Sequence, residues 1–193
     1  MAGIFAQTVT FATAGAGAGI AEDMHKGLID RFRSLPMARS AVLLGRTSAD
    51  AVRNVFVMLL ITAVGYLVGF RFQAGFVKAV AAILLAVLFG YAFSWISATI
   101  GLSVGDVETA QAAGFVWVFP LVFASSAFVP LETLPGWLQA FARINPVTVT
   151  ANALRALTLG LPLSPALWQA LAWITAILAV FVPLGVRQYR KAV

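Results

Sequence analysis

The 193-residue chain contains no cysteine and a single histidine, and only seven of its residues are acidic. Without cysteine there is no disulfide framework, no thiolate metal site and no Cys nucleophile. One histidine and a few scattered carboxylates also supply metal chemistry poorly, so a metal site is not expected. Charge of either sign is scarce, at 10% of residues. What fills the chain instead is apolar: 61% of residues are hydrophobic, and uncharged runs exceed the roughly 18 residues beyond which a bilayer span is the better reading than a buried core helix. These features describe an integral membrane protein. The net charge of +6 does not point to nucleic acid, because the basic residues flank apolar runs as topology signals do.

Five spans are predicted, at Gly3–Ile20, Asn54–Phe70, Ala79–Gly105, Thr109–Leu131 and within Ala156–Val186, the last with its helix starting near Ala166 after Pro162 and Pro165. The first is only weakly hydrophobic, so it favours helix neighbours over lipid. Placing the loop at 21–53 and the tail "RQYRK" in the cytoplasm collects nine of the thirteen basic residues there (Lys26, Arg31, Arg33, Arg39, Arg46, Arg53, Arg187, Arg190, Lys191). The expectation is therefore a multi-pass protein of the cytoplasmic membrane, with that loop and the C-terminus inside. Five spans then put Met1 outside, without a leading positive flank; a missing first helix resolves the conflict.

Several motifs carry less than they promise. "AGAGAGI", Ala14 to Ile20, neither follows a predicted strand nor ends in a Lys and a hydroxyl residue, so it is not a phosphate loop. Gly15 with Gly19, Gly65 with Gly69 and Gly101 with Gly105 have the four-residue spacing of close helix contacts. His25 lacks the partners of a catalytic site and reads as solvated or interfacial. No ionisable residue lies well inside an apolar run, which argues against a proton-coupled pump. Ser94, Ser97, Ser125 and Ser126 are candidates for a substrate path or for interhelical hydrogen bonds. On the far side from the basic loop, Trp137, Leu138, Phe141 and Ile144 fall near one face of a short helix, expected at the membrane interface.

The most polar stretch is "EDMHKGLIDRFRSLP", Glu22 to Pro36. Met24, Leu28, Phe32 and Leu35 form an apolar stripe, while Lys26, Asp30 and Arg33 cluster opposite at spacings that allow pairing. Glu22 and Asp23 suit a helix N-terminus and Pro36 ends the helix. A lipid-surface helix would be basic across its polar face, whereas this one mixes acids and bases. It reads as a docking element for another protein.

"EDMHKGLIDRFRSLPMARSAVLLGR", Glu22 to Arg46, resembles the cytoplasmic loop of type-2 ABC exporter permeases, in particular daunorubicin-resistance-like membrane subunits. "FPLVFASSAFVPLETLPGWLQAFARINPVT" and "RALTLG" are similar to the segment around and after that family's fifth helix. The resemblance covers nearly the whole chain as one permease domain, residues 1–193. It implies an all-α membrane protein of six helices, five of them here because the first is lacking, with a cytoplasmic coupling helix and a short extracellular helical cap. It further implies pairing into a homodimer or heterodimer, contact with membrane lipid, and a separate ATP-binding subunit that holds the ATP and Mg. The chain itself then binds no cofactor and is not an enzyme. Docking is assigned to Glu22, Asp23, Gly27, Asp30, Arg31, Phe32, Arg33, Leu35 and Pro36. The cap, in the region 132–155 and just before it, takes Phe128, Pro130, Glu132, Pro135, Trp137, Phe141, Asn145 and Pro146. The function implied is export of amphipathic drugs, antibiotics or lipids; the alternatives are an ATP-independent channel or small carrier, and a truncated scaffold that transports nothing.

Overall fold

The computed structural model describes residues 2–26, 39–127, 134–162 and 165–192, and these form eight helices with no strand among the described residues. In chain order they are α1 (Ala2–Ala14), α2 (Ala16–His25), α3 (Arg39–Leu67), α4 (Gly75–Val104), α5 (Val107–Phe123), α6 (Gly136–Ile144), α7 (Pro146–Leu159) and α8 (Pro165–Ala192).

α1 and α2 run in succession and part at Gly15. Thr10 Oγ1 donates to the Ala6 carbonyl (2.6 Å) and Thr13 Oγ1 to the Thr10 carbonyl (2.7 Å). These buried hydroxyls are thereby satisfied, and such back-bonding also bends helices. Together the pair covers Ala2–His25 and is, among the described residues, one of four stretches long and apolar enough to cross a membrane, with Leu43–Leu67, Gly75–Val104 and Pro165–Tyr189.

α4 is the centre of the bundle. It packs against α1, α2, α3, α5, α7 and α8, which is why its sequence is apolar on every face. Phe89, Phe93, Trp95 and Ala98 are buried on it. Around its first half, Phe5, Val9, Met58, Leu154 and Ile174 close one apolar cluster. Around its second half, Ile20, Leu43, Leu102 and Tyr189 close another. The two clusters mark two ends of the molecule: a cap end, where α1, α4 and α8 begin, and a coupling end, where α2 and α4 finish.

Two boundaries differ from the sequence-based expectation. The loop predicted at 21–53 is helical on both flanks, because α2 continues to His25 and α3 starts at Arg39. Arg46, Asp50 and Arg53 lower the local hydropathy without breaking a helix. The fourth span, predicted to reach Leu131, stops at Phe123 as the shorter apolar helix α5. Its final carbonyls are taken by side chains: Asn145 Nδ2 donates to Leu121 O (2.7 Å) and Ala124 O (2.9 Å), and Ser125 Oγ to Val122 O (2.6 Å). Helix ends need such partners when buried.

The same Asn145 starts α7, its Oδ1 accepting from Val147 N at 2.9 Å, with Pro146 in the first turn. α7 then turns back into the bundle, with Val147, Val149, Leu154 and Leu157 buried against α1, α4 and α8. The predicted cap region 132–155 therefore divides: α6 stays outside, while Asn145 onward is interior. α7 ends at Gly160, whose φ of +73° is the left-handed conformation that glycine adopts without penalty.

The glycine contacts also differ from their predicted pairs. Gly15 faces open space, and Gly69 and Gly105 terminate helices with positive φ. The close approach is between helices: Gly17 of α2 and Gly101 of α4 lie backbone to backbone, and a methyl group on either would collide with the other helix. Gly114 of α5 meets α1 at Ala14 in the same way.

Candidate functional site

At the coupling end, α2 brings Glu22, Asp23 and Lys26 to its last turn. Lys26 Nζ pairs with Glu22 Oε1 at 2.6 Å, on the exposed surface. The Glu22 carboxylate, by hydrogen bond and by charge, raises the Lys26 ammonium above its usual range. Asp23 Oδ2 accepts from Arg46 Nη1 of α3 at 2.9 Å. To reach it, the Arg46 guanidinium lies across Gly19, one turn earlier on α2. Gly19 thus serves a side chain, not a helix backbone. His25 is exposed, as its reading as a solvated residue requires.

The Asp23–Arg46 bridge closes the two flanks of the connecting segment against each other. Gly27, Asp30, Arg31, Phe32, Arg33, Leu35 and Pro36 lie outside the described residues. At the same end of the bundle, Gln188 Nε2 of α8 donates to Ser103 Oγ of α4 at 2.9 Å, and Asp106 caps α5 by accepting from Thr109 N (2.9 Å) and Thr109 Oγ1 (2.7 Å). Those bonds depress the Asp106 pKa. Sequence reasoning did not find the Asp23–Arg46 pair, since nothing local links residues 23 positions apart.

The four candidate path serines separate into two places. Ser94 and Ser97 are buried on α4; Ser94 Oγ donates to Tyr91 O (2.8 Å), and Ser97 Oγ has no partner among the described residues. Ser125 and Ser126 are buried in the turn after α5, at the cap end. Ser126 is bound into a polar network: its N–H donates to Thr148 Oγ1 (3.0 Å), its Oγ to Asn152 Oδ1 (3.1 Å), and its carbonyl accepts from Arg155 Nη2 (2.5 Å). Arg155 Nη1 also donates to Asn152 Oδ1 (2.9 Å). This network fastens the end of α5 to α7, and the four serines do not share one wall.

In the cap, Phe128, Pro130 and Glu132 lie outside the described residues. Pro135 precedes α6, on which Trp137, Phe141 and Ile144 are exposed and Ala142 is buried, giving the one-sided helix the spacing predicts. Asn145 and Pro146 are buried at the turn into α7. Exposed apolar side chains recur on α3 (Val52, Phe56, Leu59, Leu60), where lipid is the natural neighbour.

The profile of the ABC-2 type transporter family matches residues 1–159. The chain belongs to that family. It is 36% identical over 192 residues to a daunorubicin resistance ABC transporter permease of Streptomyces coeruleorubidus, covering 98% of this chain and 67% of that relative. A probable doxorubicin resistance ABC transporter permease of Mycobacterium tuberculosis is 30% identical over 167 residues, covering 86% of this chain and 60% of the relative. A second doxorubicin resistance permease of that organism is 30% identical over 152 residues, 78% of this chain and 52% of its own length. The chain thus spans about half to two thirds of these relatives. No solved structure matches it significantly. As an all-helical ABC-2 type chain with several apolar membrane-length helices, it is a multi-pass membrane protein of the permease type.

Proposed function

We propose that the chain is the transmembrane subunit of an ABC exporter that moves amphipathic drugs, antibiotics or lipids out of the cell, paired with a second permease chain and driven by a separate ATP-binding subunit. The observation that carries this reading is the family match over residues 1–159, which includes the segment Glu22–Pro36. The names of the three relatives described above, each a drug-resistance permease, support the substrate class. ATP and Mg belong to the partner.

The geometry supports a mechanism. A push on the segment between α2 and α3 reaches both helices at once, because the Asp23–Arg46 bridge joins them. α2 in turn rests on α4 through the Gly17–Gly101 contact, and α4 touches almost every other helix. Closure of the ATP-binding subunits would then tilt α2, α3 and α4 as a unit and change access between the two sides. The basic bias supports a cytoplasmic position for this end and the C-terminus and an outer one for α6.

Docking is tested by replacing Arg31, Arg33 and Leu35 together and measuring co-purification with the ATP-binding subunit and transport-linked ATPase. Both fall if the segment couples the subunits; undiminished values remove the assignment. For orientation, single cysteines at Ala38 and Gln139 are labelled from outside intact cells. Gln139 is expected to label and Ala38 to stay protected, and the reverse inverts the topology.

A further inference from the structure

At the cap end, α6, α7 and the first turns of α8 line an open furrow of about 560 Å³, within the roughly 300–1,000 Å³ typical of small-molecule sites. One wall is a stripe of α8. Gln169, Ala172, Trp173 and Ala176 follow one another at spacings of three, one and three, and all four are exposed. That stripe descends about 10 Å from Gln169 to Ala176 at 1.5 Å per residue, from a polar end to an apolar one. Ile144 and Val149 face it from the other side. Arg143, at the end of α6 and beside the turn into α7, supplies the one charge.

Among the described residues that charge has no ion-pair partner: the two ion pairs there are both at the coupling end, and no acidic residue follows Glu132 in the sequence. Three exposed tryptophans, Trp137, Trp168 and Trp173, stand at the same end, as indoles do at the headgroup level of a bilayer. A furrow that opens at headgroup depth beside a guanidinium with no ion-pair partner among the described residues, and continues as an apolar channel, is complementary to an amphipath with an anionic head.

We propose that this furrow binds an anionic phospholipid of the cap-side leaflet, with its phosphate at Arg143 and an acyl chain along Ala172, Trp173 and Ala176. Planar guanidinium groups hold phosphate through paired, charge-assisted hydrogen bonds. A zwitterionic lipid offers the same chain but sets a cation beside Arg143. Binding needs neither ATP nor a partner subunit, so its outcome stands apart from that of the transport reading.

The test uses the full chain purified in a mild detergent and titrated with palmitoyl-oleoyl-phosphatidylglycerol, then with phosphatidylcholine of the same chains, bound lipid being counted by native mass spectrometry. Phosphatidylglycerol is expected to bind about tenfold tighter, the size of effect a hydrogen bond to a charged group produces. Arg143→Gln brings it down to the phosphatidylcholine level, and Arg143→Lys keeps part of the preference. Ala172→Trp fills the furrow and weakens both lipids; the site is exposed, so the core is not repacked, and an unchanged melting temperature checks this. Arg187→Gln, at the coupling end, leaves the preference intact. Equal affinity for the two lipids, or a preference that survives Arg143→Gln, overturns the proposal.

Discussion

Gly101 lies within α4 and Gly15 at the junction of α1 and α2, and they differ in what surrounds them. A methyl group at Gly101 would meet the Gly17 backbone, whereas one at Gly15 would meet nothing within contact distance. Gly101→Ala is therefore expected to destabilise the protein by about 1–3 kcal/mol, the range for overpacking a tight contact. Gly15→Ala leaves it unchanged or stabilises it by up to about 1 kcal/mol, since Gly15 has helical dihedrals and alanine restricts the unfolded chain. Thermal unfolding of both variants in one detergent checks the pair. Asp106 gives a pH-dependent counterpart. Its carboxylate is held below its ordinary value of 3.8 by the Thr109 hydroxyl and N–H. The stabilisation is present above that value and disappears as pH falls through the depressed folded-state value. Asp106→Asn keeps a capping acceptor but loses this dependence, so its unfolding midpoint varies less between neutral and acid pH than that of the native chain.

Among the elements, α6 was readable from sequence and the end of α5 was not. Trp137, Leu138, Phe141 and Ile144 announce a one-sided helix by spacing alone, because periodicity is a local property. α5 stops at Phe123 because Asn145, more than twenty residues later, donates to Leu121 and Ala124. No window of sequence contains that contact. α3 was shortened in the sequence reading for the opposite reason: hydropathy registers Arg46, Asp50 and Arg53, while helix formation tolerates them. The family resemblance was legible because it rests on long runs of residues, but the Asp23–Arg46 bridge depends on a fold that only the structure supplies. Asn145 is the sharpest test at this scale. Asn145→Ala removes two donors from α5 and the acceptor that starts α7, and is expected to cost about 2–3 kcal/mol, as unsatisfied buried groups do. Melting temperature reads the loss, and an effect below about 0.5 kcal/mol, the level of an ordinary surface change, contradicts the role given to it.

At the scale of the whole molecule, the account is one of transmission from the coupling end to the cap end through α2, α3 and α4. The Asp23–Arg46 pair is part-exposed, 30% and 39% by side chain, so its removal should change stability by no more than about 1 kcal/mol. Its removal should change transport far more: Arg46→Gln is expected to leave the fold and ATP-subunit binding intact while lowering drug export per ATP hydrolysed. Asp23→Arg combined with Arg46→Asp should recover part of that ratio. The most direct measurement of the central claim is ATP-dependent uptake of a fluorescent anthracycline such as doxorubicin into inside-out vesicles holding this chain together with its ATP-binding subunit. The account predicts uptake that requires ATP and both subunits and is abolished by the combined replacement of Arg31, Arg33 and Leu35. Uptake by this chain alone without ATP, or full uptake by the triple variant, would contradict it.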